Sequence, residues 1–405
     1  MAAEPVDHAE SDHAESDHAE SDAGRALMGP PDYAGPILSD VVPATALSLG
    51  AGEIFDPETR RRAEQLGLDR EVRTAIVVLV DGLGEQQLIR YSGYTPFFRT
   101  LASSRRTLSA GFPSTTANSL SSLATGRMPG SHGVVGYRVL DPAKDAVFNQ
   151  LTWDLDVDPV TWVPDATLFE RLSTASVDVV SLGEAKFAGR GLNRASLRGG
   201  RFRASKTLEE RCAQAVAEVR APGRRLVYLY WGNLDKTGHV HGSDSSQWTE
   251  ELEHVDLALS QLAADLPGDS TMIVTADHGM VDIPHDERLD VADVPVLREG
   301  VRHLGGEPRA LHIYAQPGAE ADVLATWTET VGSRALVLSG QTAVERGYFG
   351  PVDARVRGRI GDVMVICHED FAVVDSDNES PSALALIGHH GSTTLRELQI
   401  PLLVV

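Results

Sequence analysis

The sequence predicts an α/β fold, a layered α/β/α arrangement with a mostly parallel central sheet and a smaller α+β cap insertion. The first observation is a set of short apolar runs rich in Val, Ile and Leu, at 75–80, 177–182, 226–230, 272–275 and 400–405. Such runs are typical of strands buried on both faces. The second observation is helical periodicity between the runs, as at 248–262, where apolar residues recur every three or four positions. Strands that alternate with helices indicate a layered fold with a parallel sheet.

The first 70 residues divide into a tail and a longer segment. Residues 7–22 repeat Asp-His-Ala-Glu-Ser and contain almost no apolar side chains, so we predict that 1–27 form a disordered, acidic, His-containing tail. Its histidines could bind metal loosely, although a solvated spacer is the preferred interpretation. Residues 28–70 mix Pro-rich loops with one helix predicted near 57–66, and we expect this segment to wrap the surface of the core.

The rest of the chain divides into a core and an insertion. Residues 71–283 and 371–405 carry the alternating pattern and are predicted to form the core. Between 284 and 370 the predicted order changes to strand 309–315, helix 319–331, strand 335–338 and strand 362–367. We interpret 284–370 as an α+β cap insertion. Ligands of open α/β sheets bind at the carboxyl ends of strands, so the cap is expected beside the active site.

The charge of the chain restricts its partners. The formal net charge of −22 argues against a duplex nucleic acid, because phosphate binding requires clustered Lys and Arg. Eight of the acids lie within residues 1–22. An acidic protein also repels anionic substrates, so a phosphate site here would need a local attraction such as bound cations.

Hydropathy and cysteine usage predict a cytoplasmic protein. No apolar run approaches the ~18 residues of a membrane span, and the first residues lack a basic start and an apolar signal region. We therefore expect no membrane partner. Cys212 and Cys367 are far apart and lack a C-x-x-C spacing, which indicates neither a disulfide framework nor a thiolate zinc site. The oligomeric state is left open.

Metal-compatible residues follow three of the predicted buried strands, and one more group lies near the C-terminus. They are Asp81 after 75–80, Asp235 and His239 after 226–230, Asp277 and His278 after 272–275, and His389-His390-Gly391. Each alone is compatible with an ordinary turn or a pair on one helix face. Together they indicate a site, because the ends of parallel strands converge on one edge of a sheet. Carboxylates this close would repel one another, and divalent cations are the simplest remedy.

The ligand types indicate which metal would bind. Imidazole and carboxylate without thiolate suit zinc best, with manganese or iron as alternatives. The stretch 112–133 supplies hydroxyls just before a helical pattern, and Thr115, Thr116 and Asn118 are all candidates for a simple N-cap. A helix start also favours a docked anion. Thr116 fits as a nucleophile, because an alcohol becomes reactive when a metal holds it as an alkoxide.

The ordered motifs resemble the alkaline phosphatase superfamily, and within it the type I phosphodiesterase/nucleotide pyrophosphatase branch, which includes phosphonoacetate hydrolases. The resemblance covers about 70–405. Its motifs are Asp81, Phe-Pro-Ser-Thr-Thr116, Ala-Thr-Gly126 with Pro129 and His132-Gly133, Asp235-x-x-x-His239, Asp277-His278-Gly279 and His390-Gly391. The similarity implies an alkaline-phosphatase-like fold with the metallohydrolase core in 71–283 plus 371–405.

The resemblance also implies the roles of individual residues. It places one zinc on Asp235, His239 and His390, and a second on Asp81, Thr116, Asp277 and His278. By analogy with the branch, Thr116 rather than Thr115 is the nucleophile, and it forms a phospho-threonine that water hydrolyses. Where the branch commonly has an Asn after the His-Gly motif, this chain has Tyr137, whose hydroxyl is a candidate donor to a phosphoryl oxygen.

The predicted function is a two-metal hydrolase of phosphodiester or pyrophosphate bonds in a nucleotide-like small molecule. One alternative within the superfamily is a phosphonoacetate-type C–P hydrolase, which needs basic contacts to the substrate carboxylate. Another is a phosphomonoesterase, although no Arg directly follows Thr116. A rival from a different class is a non-catalytic protein that binds metal or nucleotide on the same fold.

Overall fold

The computed structural model describes residues 29–405. The predicted tail at 1–27 lies outside the described residues. Within them, no helix combines the length and the apolar character needed to cross a membrane.

The described residues contain strands of two to seven residues, numbered here in chain order. They are β1 Thr74–Val80, β2 Arg106–Ser109, β3 Arg138–Asp141, β4 Ala146–Asn149, β5 Asp178–Gly183, β6 Arg201–Ala204, β7 Arg225–Trp231, β8 Ser270–Thr275, β9 Val281–Asp282, β10 Arg288–Asp290, β11 Val301–Glu307, β12 Ala310–Ala315, β13 Ala335–Ser339, β14 Val363–Cys367, β15 Ala372–Val374, β16 Gly388–His389 and β17 Gln399–Val404.

The α-helices of the same region range from one turn to five turns. They are α1 Val41–Ser48, α2 Pro57–Glu64, α3 Glu85–Arg90, α4 Pro96–Thr100, α5 Thr116–Thr125, α6 Pro129–His132, α7 Pro159–Trp162, α8 Leu168–Thr174, α9 Gly191–Ser196, α10 Leu208–Arg220, α11 Asn233–His241, α12 Ser246–Ala264, α13 Glu320–Val331, α14 Gly340–Glu345, α15 Pro381–Leu384 and α16 Leu395–Leu398.

The central sheet has seven strands in the order β2-β17-β8-β1-β7-β5-β6. Strands β8, β1, β7, β5 and β6 pair in parallel, whereas β17 runs antiparallel to both of its neighbours. All seven residues of β1 are buried, because helices cover both faces of the sheet. The prediction of a layered α/β fold with a mostly parallel sheet is therefore confirmed, and β17 is its antiparallel exception.

The three middle strands set the position of the site. β1 lies between β8 and β7, with Leu79 opposite Thr275 and Val80 opposite Trp231. The chain segments that follow these strands therefore begin side by side at the carboxyl edge of the sheet.

A second, antiparallel sheet is built from β11, β12, β14 and β13. Helix α13 packs against it through Trp327, which is fully buried and donates from its indole nitrogen to the Leu297 carbonyl at 3.1 Å. Residues on the opposite face, including Met364 and Ile366, join the main core. The second sheet thus has its own small core on one face and contributes residues of its other face to the main core.

The residues before β1 also contribute to the core. Helix α1 is buried along nearly its whole length, and α2 packs over it. A bidentate ion pair joins α2 to the residue before α1: Arg62 Nε and Nη2 lie 3.1 Å from the two carboxylate oxygens of Asp40.

Candidate functional site

Three carboxylates meet at the ends of the three middle strands. Asp81 directly follows β1, Asp277 lies two residues after β8, and Asp235 lies in the first turn of α11, just after β7. A tight turn allows this approach. Gly82 has φ of +75°, and a Cβ there would lie 3.0 Å from the Cα of Asp235. Only glycine fits such a position without strain.

Three imidazoles face these carboxylates. His239 lies one helical turn after Asp235, His278 follows Asp277, and His390 follows β16. In each ring Nδ1 is hydrogen-bonded to a main-chain carbonyl: Gly388 at 2.7 Å for His239, Gly279 at 2.9 Å for His278 and Ser114 at 2.8 Å for His390. A carbonyl can only accept, so Nδ1 carries the proton in each neutral ring and Nε2 presents its lone pair.

The Nε2 atoms point at carboxylate oxygens. His278 Nε2 lies 3.4 Å from both Asp81 Oδ1 and Asp277 Oδ2. His239 Nε2 lies 3.3 Å from Asp235 Oδ2, and His390 Nε2 lies 3.8 Å from Asp235 Oδ1. Two acceptors that face each other require a cation or a proton between them.

The arrangement fits divalent metal ions. Asp235 Oδ1 and Asp277 Oδ2 are buried and have no hydrogen-bond partner, although the other oxygen of Asp277 accepts from the backbone N–H groups of Gly82 and His278. Tetrahedral zinc, with bonds of about 2.0–2.2 Å, holds its ligand atoms roughly 3.3–3.6 Å apart. Most of the separations given above lie in this interval.

The residues that could hold metal form two groups. Asp81, Asp277 and His278 make one, and Asp235, His278 and His390 make the other. The rings of His278 and His390 stack with centroids 3.6 Å apart, which brings the two groups together. His239 approaches the other oxygen of Asp235. The division of these ligands between two ions stays a prediction.

Without bound cations, ionisation of the two carboxylates of the first group, Asp81 and Asp277, is unfavourable. Burial raises the pKa of Asp81 well above its ordinary value, and the charges of Asp277 and Asp235 raise it further. Burial likewise raises the pKa of Asp277 to about 7. Bound cations would reverse both shifts, because they favour the ionised form.

Around Asp235, by contrast, a nearby imidazole offsets the effect of burial on the pKa. Burial alone would raise the pKa of Asp235, but the nearby His239 outweighs burial and lowers that pKa below its ordinary value. Burial would lower the pKa of His239, yet Asp235 raises it to about 9. For His390, burial and the neighbouring His278 hold the pKa well below its ordinary value. A proton on His239 thus substitutes for the positive charge that a metal would bring.

Thr116 lies beside the first group. It is the first residue of α5, and its Oγ1 lies 3.2 Å from His278 Nε2 and 3.5 Å from Asp81 Oδ1. Thr115 is the N-cap residue, and no side chain caps the helix. Ser119, almost one turn later, donates to the Asp277 carbonyl at 2.8 Å and so fixes α5 against the end of β8. The hydroxyl of Thr116 thus faces the carboxylates and imidazole instead of capping its own helix.

His132 of the His-Gly motif has a different role. Its Nδ1 accepts from the Val134 N–H at 3.1 Å, so Nε2 carries the proton and donates to Ser122 Oγ at 3.0 Å. Burial, together with nearby arginines such as Arg355, lowers the pKa of His132 to about 3. The ring is a neutral link between α5 and the loop that leads to Tyr137.

A family model decides the classification of the chain. The model described as type I phosphodiesterase / nucleotide pyrophosphatase matches residues 75–393, which is most of the chain and includes every predicted site residue. The chain belongs to this family. The resemblance seen in the motifs is confirmed, including the placement in the alkaline phosphatase superfamily.

Relatives of this family member are distant in sequence. An uncharacterized pyrophosphatase/phosphodiesterase of Schizosaccharomyces pombe is 26% identical over 247 residues, 58% of this chain and 50% of that protein. The phosphopentomutase of Shewanella frigidimarina is 29% identical over 119 residues, 29% of this chain and 27% of that enzyme. The chain therefore spans half or less of the curated relatives that it matches.

Solved structures share the fold of this family member. Murine ectonucleotide pyrophosphatase/phosphodiesterase 5 superposes with a TM-score of 0.66 at 20% identity, over 81% of this chain and 87% of that one. Phosphonoacetate hydrolase from Sinorhizobium meliloti 1021 gives 0.62 at 20% identity, over 82% and 90%. At this identity the similarity establishes the alkaline-phosphatase-like fold alone.

Tyr137 has no hydrogen bond to Thr116 among the described residues. Its backbone N–H donates to Glu307 Oε2 at 2.9 Å, and no hydrogen bond joins its ring hydroxyl to another of the residues 29–405. Its proposed role as a phosphoryl donor stays a prediction.

Tyr230, at the end of β7, is a site residue that the motifs did not indicate. Its hydroxyl donates to Asp81 Oδ2, and its ring packs edge-on against Phe187. The ring also lines a mainly apolar side pocket next to α5, formed by residues that include Leu120, Phe187, Arg190, Asn193 and Tyr228. The sequence signal that could have indicated Tyr230 is its position near the end of a predicted buried strand that leads to Asp235.

Proposed function

We propose that the chain is a two-metal hydrolase of phosphodiester or pyrophosphate bonds in nucleotide-like small molecules, with Thr116 as the nucleophile. The observation that carries the proposal is the set of three imidazoles whose Nδ1 protons are fixed by main-chain carbonyls and whose Nε2 atoms face three buried carboxylates. Such fixed tautomers are typical of metal-binding histidines. Membership of the family supports the hydrolytic chemistry.

The metal ligands are proposed to be divided as the family pattern implies. Asp235, His239 and His390 would hold one ion, and Asp81, Thr116, Asp277 and His278 the other. Zinc suits this mixture of imidazole and carboxylate, and manganese or iron are the alternatives. When bound, two such ions would neutralise the charge of a phosphoryl group and polarise its oxygens.

The proposed reaction has two displacements at phosphorus. Thr116 Oγ1 bonds to phosphorus and displaces the alcohol or phosphate of the substrate, and the departing oxygen takes up the proton that Thr116 loses, so that a phospho-threonine is left. Water then attacks the same phosphorus, the bond from phosphorus to Thr116 Oγ1 breaks, and a proton of the water restores the Thr116 hydroxyl. Each displacement inverts phosphorus, so the configuration is retained overall. The free N–H groups at the start of α5 favour an anion beside Thr116.

The side pocket is narrow and mainly apolar, so it could receive the edge of a flat, apolar substituent of the substrate. Its rings and leucines offer stacking and apolar contacts, and the Tyr228 hydroxyl is a buried donor without a partner. An inactive variant of the murine ectonucleotide pyrophosphatase/phosphodiesterase 5 has been solved in complex with AMP. A nucleotide-like substrate for this chain agrees with that complex.

Replacement of the nucleophile tests the proposal. We expect Thr116→Ala to lose nearly all hydrolysis of bis-p-nitrophenyl phosphate while it remains folded. Thr115→Ala is the matched control, because Thr115 is the neighbouring buried threonine and makes no capping hydrogen bond. Metal content is measured on the same samples. A folded Thr116→Ala protein that turns over at the wild-type rate would falsify the proposed role.

A second candidate function is hydrolysis of a C–P bond in a carboxylated phosphonate. It is favoured by Arg190, an exposed arginine that lines the side pocket and could contact a carboxylate. Activity on phosphonoacetate, compared with a nucleotide pyrophosphate, a diester and p-nitrophenyl phosphate, separates the candidates. If phosphonoacetate is the preferred substrate and Arg190→Met removes that preference, the second candidate replaces the first.

A further inference from the structure

We propose that the buried ion pair between Arg309 and Glu397 positions the loop that carries His390, and that it thereby sets the metal affinity of the Asp235, His239 and His390 group. Arg309 is a residue of the turn between β11 and β12 in the second sheet, and Glu397 lies in α16. The inference rests on the proposed function, since it concerns how the protein holds one of the two proposed ions.

The ion pair is bidentate and excluded from solvent. Arg309 Nε donates to Glu397 Oε1 and Arg309 Nη2 to Glu397 Oε2, both at 2.8 Å, and each side chain is 0% exposed. The remaining guanidinium nitrogen of Arg309 donates to the Phe371 carbonyl at 2.6 Å. A fully desolvated pair of this kind contributes little net stability, and such pairs are instead suited to fixing one arrangement.

The carboxylate of Glu397 holds the loop after His390. Its Oε1 also accepts from the Ser392 N–H at 3.0 Å, and its Oε2 accepts from the Thr394 hydroxyl at 2.5 Å. Ser392 is two residues beyond His390. The direction of the Glu397 carboxylate therefore determines where this segment of backbone can lie.

The same loop is bonded to the segment before the nucleophile. The Ser114 hydroxyl donates to the Ser392 carbonyl at 2.8 Å and accepts from the Gly391 N–H at 3.1 Å. The Ser114 carbonyl accepts from His390 Nδ1 at 2.8 Å. A shift of the loop would therefore change the orientation of the His390 ring and its Nε2 lone pair.

A second contact comes from the same turn of the second sheet. Glu307 packs against Gly391, so closely that a Cβ on Gly391 would lie 2.5 Å from the Cγ of Glu307. Glu307 also accepts from the Tyr137 N–H. Residues 307–310 thus contact both the loop after His390 and the segment at Tyr137, and the ion pair between Arg309 and Glu397 joins them to α16.

Arg309→Lys tests the inference, because lysine keeps the charge but loses the planar fork. Arg62→Lys is the matched control: it breaks a bidentate pair with Asp40, the residue before α1, and neither of these side chains is hydrogen-bonded to residues 388–397. Zinc per chain is measured after dialysis against buffered free zinc, with circular dichroism to verify the fold. We expect one of two zinc ions in Arg309→Lys to bind ~10–100-fold more weakly, as for other residues that orient metal ligands. Arg62→Lys should bind both ions as the wild type does.

Kinetics supply the second readout. Excess zinc should restore the kcat of Arg309→Lys toward the wild-type value, because the ligands themselves are unchanged. If Arg309→Lys does not fold, Thr394→Val takes its place, since it removes only one hydrogen bond to Glu397, and we expect a smaller loss of zinc affinity. A folded variant that binds both ions with wild-type affinity overturns the inference alone. A wild-type protein that binds none of zinc, manganese and iron overturns the proposed function as well.

Discussion

Asp81 receives contacts from two hydroxyl groups at once. The Tyr230 hydroxyl donates to its Oδ2, while Thr116 Oγ1 lies 3.5 Å from its Oδ1. Burial raises the pKa of Tyr230, and the charge of Asp81 raises it further, so the phenol remains a donor. Tyr230 therefore fixes which oxygen of Asp81 is available to the proposed metal and the nucleophile.

Tyr230→Phe should lower kcat/KM on a diester about 10-fold or more, as is usual when a partner that orients a metal ligand is removed. The ring contact with Phe187 is retained, so the fold should persist. Activity and metal content of the purified variant provide the check.

Tyr228→Phe is the control for this prediction. Tyr228 precedes Tyr230 by two residues on the same face of β7, but its buried hydroxyl has no partner. Its removal should leave the metal content unchanged and raise the free energy of unfolding by about 1 kcal/mol or more, since an unpaired buried hydroxyl is costly. Equal losses of metal content in the two variants would show that Tyr230 acts through packing alone.

At the scale of elements, the turn after β1 determines how closely α11 approaches. Gly82→Ala should be strained by the positive φ and should also push Asp235 away. We expect weaker zinc binding together with a loss of stability of about 1–2 kcal/mol from the backbone conformation.

Gly223→Ala separates the two effects. Gly223 has φ of +92° but no atom within 4 Å of the added Cβ. It should lose similar stability, measured by urea unfolding, and retain zinc binding. If Gly82→Ala binds zinc as well as Gly223→Ala does, the close approach of Asp235 is not required for the site.

The sequence predicts those elements whose burial is complete. β1, β7 and β8 could be recognised because their runs are apolar on both faces, and the Asp and His residues that follow them have the correct spacing. The antiparallel direction of β17 could not be recognised, because an apolar run carries no information on direction. β11 escaped prediction because Arg302, His303 and two glycines interrupt its apolar pattern.

Contacts between distant segments were also beyond prediction. Thr394 and Glu397 have the spacing of a helix capping box, which is a local signal. Nothing local indicates that Glu397 pairs with Arg309, or that Tyr230 bonds to Asp81. The first pair depends on how the second sheet packs against α16, and the second pair depends on β7 lying next to β1 in the central sheet.

At the scale of the whole molecule, the buried carboxylates predict that the stability of the fold depends on bound cations. Chelation should lower the melting temperature, and zinc should restore it. A ligand at 100 times its Kd stabilises the folded state by about 2.7 kcal/mol per site. Magnesium, which prefers an all-oxygen set of ligands, should restore less. Equal melting temperatures with and without zinc would contradict this expectation.

The pH dependence of the chelated protein follows from Asp277. Its pKa is raised from 3.8 to about 7 in the folded state, so the folded protein retains a proton that the unfolded chain loses. This group's contribution to stability is therefore fully present below pH 3.8 and is lost as the pH rises to about 7. Zinc-loaded protein should lack this decline, and thermal melts at several pH values give the comparison.

The stereochemistry at phosphorus tests the central claim most directly. A chiral phosphorothioate diester is hydrolysed in ¹⁸O-water, and the configuration of the product is determined. Covalent catalysis by Thr116 predicts net retention, because two in-line displacements each invert phosphorus. Net inversion would mean that water attacks the substrate directly, and it would contradict a phospho-threonine on Thr116.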